Sequence, residues 1–219
     1  MPILHRVRGD NIHYHIILRC NNREQLFCKP EDFELILALF RETKEKFGYR
    51  LYNYELLNAH AHLMLSTHQG YHVDEIMHNL CLQCAKQFNK RNNRSGHLWA
   101  HRYRSRIILN DAHGITCLRY QHRNALSAGL VFRPEDWPWS GYSFYAYGEA
   151  NNLLEYHPSF LALHELEDQR RCSYRRLVNT IIPSDKITGL LEKGSDRLTW
   201  RFANMIRQVS ALKSNLQIG

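Results

Sequence analysis

Apolar and polar positions follow two periods along this chain. Residues 12–20 (IHYHIILRC) are rich in β-formers and predict a strand, closed by a turn at Asn21-Asn22-Arg23. Pro30, Glu31 and Asp32 place proline and acids at a helix start. Phe33, Ile36, Leu37 and Phe40 then recur at helical spacing until Gly48 stops the run. Residues 49–57 and 61–67 predict two more strands, almost a hairpin. Residues 73–92 predict a helix with Ile76, Leu80, Cys84 and Phe88 on one face, and residues 102–109 a fourth strand. A helix over 111–128 ends at Gly129, a natural left-handed cap. Residues 133–139 form a turn carrying Trp137 and Trp139 as aromatic anchors.

Alternating strands and helices with such short connections predict an α+β sandwich: an antiparallel sheet with helices packed on one face. After about residue 155 the pattern is purely helical, over 158–179, 183–192 and 196–212. The polar loop near residue 150 divides the chain into a first unit, 1–150, and a C-terminal helical extension, 151–219.

Of the 219 residues, 44% are hydrophobic and 23% charged, the balance of a folded domain with a sizeable core. The longest uncharged run, 56–73, contains His60, His62, His68 and His72 and cannot be a lipid-facing helix. No apolar segment follows the N-terminus, so a secretory signal is not expected and the protein is placed in the cytoplasm. The six cysteines are then expected as reduced thiols. Cys81 and Cys84 form a lone CxxC with no second pair nearby to complete a zinc site, and read as two small residues on one helix face.

Net charge sharpens this picture. The chain carries +8, and residues 86–125 alone hold nine cations, Lys86, Lys90, Arg91, Arg94, Arg102, Arg104, Arg106, Arg119 and Arg123, against the single acid Asp111. That block contains the whole excess, interleaved with Phe88, Trp99, Tyr103 and Tyr120. Concentrated cations among aromatics suit a phosphate backbone with unstacked bases. A solvated basic face would not need such concentration.

Two constellations carry chemistry. His60 and His62, two apart on a strand, point to the same face and can meet one divalent ion. His13 and His15 have the same spacing on the first strand, so spacing alone does not choose between the pairs. Tyr120 and Asn124, four apart on a helix, share a face. A tyrosine beside a metal-bound phosphate is a nucleophile, and the Asn124 amide oxygen can complete the metal shell. No Gly-rich phosphate loop and no HExxH occur, and acids are scarce between residues 50 and 130, which argues against ATP chemistry and a carboxylate two-metal nuclease.

Several motifs then fall in order: HAH and LML at 60–65, GHLWAHRY at 96–103, LRYQHRNALSAGLV at 118–131 and PEDWPWSGY at 134–142, with NNRE at 21–24. Over roughly residues 10–145 the chain resembles the single-tyrosine HUH transposases, in the REP-associated tyrosine transposase branch of the IS200-like enzymes. The resemblance implies a ferredoxin-like antiparallel sheet with helices packed on it, and metal-dependent cleavage and rejoining of single-stranded DNA, hairpin-containing and nucleoid-associated. It implies Mg or Mn on His60 and His62 with Asn124 as third ligand, Tyr120 forming a 5′-phosphotyrosine link, the basic block on DNA, and a monomer or homodimer. No nucleotide cofactor is then needed. Two positions depart from the family pattern, a small Ala61 between the histidines and Ala125 after Asn124, and neither removes a reactive group. A catalytically silent single-strand-binding regulator on the same fold, and a structural zinc protein, are the competing readings.

Overall fold

The computed structural model describes residues 8–180. Strands β1 (His13–Arg19), β2 (Arg50–Leu57), β3 (His60–Ser66) and β4 (Arg104–Ile107) form one antiparallel sheet in the order β2-β3-β1-β4. Helix α1 (Pro30–Phe47) joins β1 to β2, and α2 (Val73–Arg91) joins β3 to β4. This is the expected ferredoxin-like βαββαβ path. Pro30 opens α1, the Asp32 carboxylate accepts the Lys29 N–H at 3.1 Å, and Gly48, at φ 61°, ends it.

Period-two alternation divides the sheet. Tyr14, Ile16, Leu18, Leu51, Leu56, Leu63 and Leu65 pack under α1 and α2 against Phe33, Phe40, Ile76, Leu80 and Phe88. The opposite face is covered as well, which corrects the one-face expectation. Tyr52 and Met64 there meet Leu118, Tyr145, Phe160, Tyr174 and Val178 from α3 (Asp111–His122), α5 (Tyr142–Tyr147), α6 (Pro158–Leu161) and α7 (Glu167–Asn179). His13, His15, Asn53, Glu55, His60 and His62 make that face look solvated in the sequence, yet helices bury most of it. A bulge between Leu51 and Asn53 turns both Tyr52 and Asn53 to it.

Two predicted helices break. Residues 111–128 divide at Arg123 into α3 and the one-turn α4 (Asn124–Ser127). Residues 158–179 divide into α6 and α7, with His164 Nδ1 accepting the Leu166 N–H at 3.0 Å between them. The helices predicted over 183–192 and 196–212 lie outside the described residues. The Trp anchors close the β2 edge: Trp137 Nε1 donates to the Leu56 carbonyl at 2.8 Å, Trp139 stacks on Phe33, and Leu56 N–H donates to the Trp139 carbonyl at 2.9 Å. Cys81 and Cys84 line the α2 side of the core. Burial pushes the Cys81 thiol up to about 12 and raises that of Cys84 well above its ordinary value, so neither is a thiolate. No described helix is long and apolar enough to cross a membrane.

Candidate active site

The second face of the sheet sets out the polar groups in rows. Register places Arg104, Ile17, His62 and Glu55 side by side across all four strands, and Arg19 opposite His60. The His60 and His62 rings meet edge to face, with centroids 5.2 Å apart. His15, one step diagonally across β1, brings its Nε2 within 3.0 Å of His62 Nδ1. Burial lowers the pKa of His60, and that of His62 strongly, with Arg19 and the neighbouring imidazoles adding to the effect. Both rings are therefore neutral at pH 7, with lone pairs to offer.

Helix α3 lays Tyr120 over this row. Its ring centroid is 5.5 Å from that of His62 and 6.2 Å from that of His15. Burial raises the phenol's pKa, while Arg19, the Asn124 side chain and Arg106 pull it back towards phenolate. Asn124, one turn on and 9% exposed, sets its side chain beside the Tyr120 hydroxyl, and its buried Nδ2 makes no full hydrogen bond. Thus Tyr120 meets both His62 and the Asn124 side chain, with His60 against His62. Among the described residues no three His, Cys, Asp or Glu side chains form a metal-holding group. A divalent ion would need the two imidazoles, the Asn124 amide and oxygens of its substrate or water, a mixed set of borderline nitrogen and hard oxygen donors.

A buried hydrogen-bond chain orients α3. The Asn53 amide oxygen can only accept, so His122 donates from Nε2 at 2.8 Å and must accept at Nδ1 from the Tyr174 hydroxyl, 2.6 Å away. Asn53 Nδ2 donates onward to Gln121 Oε1 at 2.8 Å. From the same face of the helix, Arg119 Nε donates to the Leu177 carbonyl at 2.8 Å, and Arg123 donates to that of Val178. Helix α7, in the predicted extension, therefore holds the tyrosine helix at both its buried side and its flank. Tyr174→Phe leaves His122 Nδ1 buried and unsatisfied, and costs about 1–3 kcal/mol. Chemical denaturation checks this; an unchanged midpoint would show that α7 does not brace α3.

Two buried histidines, His122 of this network and His157 beside His13, fix a pH dependence. Burial pushes His122 down to about 3 from 6.5, and burial together with His13 does the same to His157. Between those values the unfolded chain binds protons that the folded chain refuses. Stability is then full above about pH 6.5 and falls as pH drops towards 3, by up to about 1.4 kcal/mol per unit for each histidine. A urea midpoint that stays level from pH 7 to 4.5 would contradict this.

The other sequence-predicted residues are dispersed. Lys86 and Lys90 lie along α2. Arg91 donates to the Glu31 carbonyl at 2.9 Å, and Arg94 pairs with Glu24 at 3.2 Å. Arg102 and Arg104 line a cleft beside β1, and Arg106 lies on β4 across from His15. Arg119 and Arg123 are directed to α7 rather than to open solvent. The first HxH pair divides: His13 Nδ1 meets His157 Nε2 at 2.8 Å, while His15 joins His62. Sequence reasoning missed His15 as a partner of the second pair, and also Arg19 and Glu55. Glu55 is 0% exposed beside His62. Burial lifts its carboxyl to about 8, opposed by the Ser140 hydroxyl and the Ala125 N–H, and neither oxygen makes a full hydrogen bond. Its one sequence signal is a lone acid inside YNYELL.

A family profile described as transposase IS200 like matches residues 9–124. Among solved structures, a REP-associated tyrosine transposase bound to a REP hairpin superposes with a TM-score of 0.58. It is 17% identical, over 71% of this chain and 95% of that one. A candidate transposase from Deinococcus radiodurans R1 gives a TM-score of 0.40 at 18% identity, over 52% of this chain and 91% of that one. No curated protein matches.

Proposed function

The chain belongs to the IS200-like transposase family, and within it we propose that this protein cuts and rejoins single-stranded DNA through Tyr120, with Mg or Mn on His60, His62 and Asn124. The observation that carries this reading is the Tyr120 ring held against His62 on a buried face, with centroids 5.5 Å apart.

A divalent ion bound there supplies polarisation of the scissile phosphoryl oxygen. Tyr120 gives up its proton to water, with the charges of Arg19 and Arg106 opposing the effect of burial on the phenolate, and its oxygen attacks phosphorus. The P–O3′ bond breaks and the 3′-oxygen leaves as a hydroxyl, protonated by water. The phosphodiester energy is kept in a 5′-phosphotyrosine link, so no nucleotide cofactor is required. His62 serves as a ligand only in the tautomer that donates from Nδ1 to His15, which frees Nε2. Because α7 of the same chain braces α3, Tyr120 acts on its own chain's histidines, and a monomer suffices for cleavage. The hairpin bound by the solved REP-associated transposase supports a hairpin-bearing strand as substrate.

Incubating the protein with such a strand and Mg or Mn tests this reading. A band resisting denaturation, lost with a chelator, is the expected result. Tight binding without any adduct would instead establish the silent regulator.

A further inference from the structure

The cations near the site fall into two classes. Arg91, Arg94, Arg119 and Arg123 are held by acids or backbone carbonyls of the protein itself. Arg19, Arg23, Arg102 and Arg104 instead converge on one cleft of about 360 Å³, together with Asn21, Asn22 and His101. No carboxylate lines it. Among the described residues no acid forms an ion pair with any of the four. Four guanidiniums gathered without a counter-charge repel one another unless an anion joins them.

The cleft is preformed. One wall is the end of β1 and the turn after it, where Asn22 and Arg23 hold left-handed φ of 51° and 56°. That conformation is uncommon for non-glycine residues and gives the turn a fixed, sharp path. The other wall is the segment before β4. Asn21 N–H donates to the Leu98 carbonyl at 2.8 Å and Ala100 N–H to that of Arg19 at 2.9 Å, which fastens the walls together. The cleft adjoins the proposed catalytic face, since Arg19 is registered opposite His60 and Arg104 shares a row with His62.

We propose that this cleft holds one unpaired nucleotide of the strand that carries the scissile phosphate, with its phosphate on the guanidiniums and its base between the two walls. The volume lies at the low end for ligand pockets, roughly 300–1,000 Å³, and is too small for a duplex. Arginine planes and His101 offer stacking faces, and the amides of Asn21 and Asn22 offer donors and acceptors to a base edge. This inference rests on the single-strand reading above and names where that strand is gripped.

The test measures binding of the Tyr120→Phe protein to a hairpin strand whose unpaired flank carries an abasic site at each position in turn. One position should weaken binding by about tenfold or more, the loss of a stacked base. In the Tyr120→Phe protein carrying also Arg23→Ala and Arg102→Ala, with unchanged circular dichroism, that position should lose its special effect. A flat scan, or an abasic effect that survives the arginine substitutions, overturns the cleft assignment. Adduct formation by the parent protein is scored on the same strands. A position-specific abasic effect without any adduct supports the cleft and removes the catalytic reading; an adduct with a flat scan removes the cleft and keeps the catalytic reading.

Discussion

Tyr120→Phe abolishes the covalent protein–DNA adduct and leaves binding of the uncut strand within about threefold of the parent, because it removes one hydroxyl and no cation. The ring still fills its place over His62, so the fold is preserved. Neither Tyr142 nor Tyr103 is poised to take its place. Tyr142 is 1% exposed and packs against His122 and Tyr147, and Tyr103 is 7% exposed within the core under α1 and α2. Denaturing gels of the two proteins, scored over the same time course, check this. An undiminished adduct from the phenylalanine variant would move the nucleophile to Tyr103 or Tyr142.

His60→Ala or His62→Ala lowers the cleavage rate by about 10³-fold or more, the loss expected when several kcal/mol of phosphoryl polarisation disappear. DNA binding is largely kept, since the cations that face solvent are untouched. His15→Phe removes the acceptor for His62 Nδ1 and weakens Mn affinity by about 10–100-fold. His13→Ala does neither, because its imidazole is bonded to His157. Cleavage rate against metal concentration, alongside Mn binding measured directly, separates these effects. If the His13 variant needs far more metal while the His60 variant behaves as the parent, the ion belongs to the first strand.

The order of elements was legible because it depends on local chemistry. Pro30 and Gly48 bound α1, and HxH spacing puts two imidazoles on one strand face whatever covers it. The partners across the sheet were not legible, since they depend on register. His15 reaches His62 only because Ile17 lies opposite His62, and no local signal announces that pairing. Glu55 is only one of a few acids between residues 50 and 130, and nothing local announces that the turn through Ser140 and the corner at Ala125 close over it. Arg119 and Arg123 share a helix face, as their spacing of four implies, but their acceptors are the end carbonyls of a helix more than 50 residues further on. The second helical layer was missed for a related reason. Alternating polar residues normally mark a wet face, and here they mark a buried site.

The most direct test of the tyrosine chemistry is to trap the adduct with Mg or Mn, digest protein and DNA, and identify the modified peptide by mass spectrometry. The account predicts a nucleotide joined through its 5′-phosphate to Tyr120, with a free 3′-hydroxyl on the released strand. A linkage at another residue, a 3′-phosphate joined to the protein, or hydrolysis with no protein-linked intermediate would contradict it.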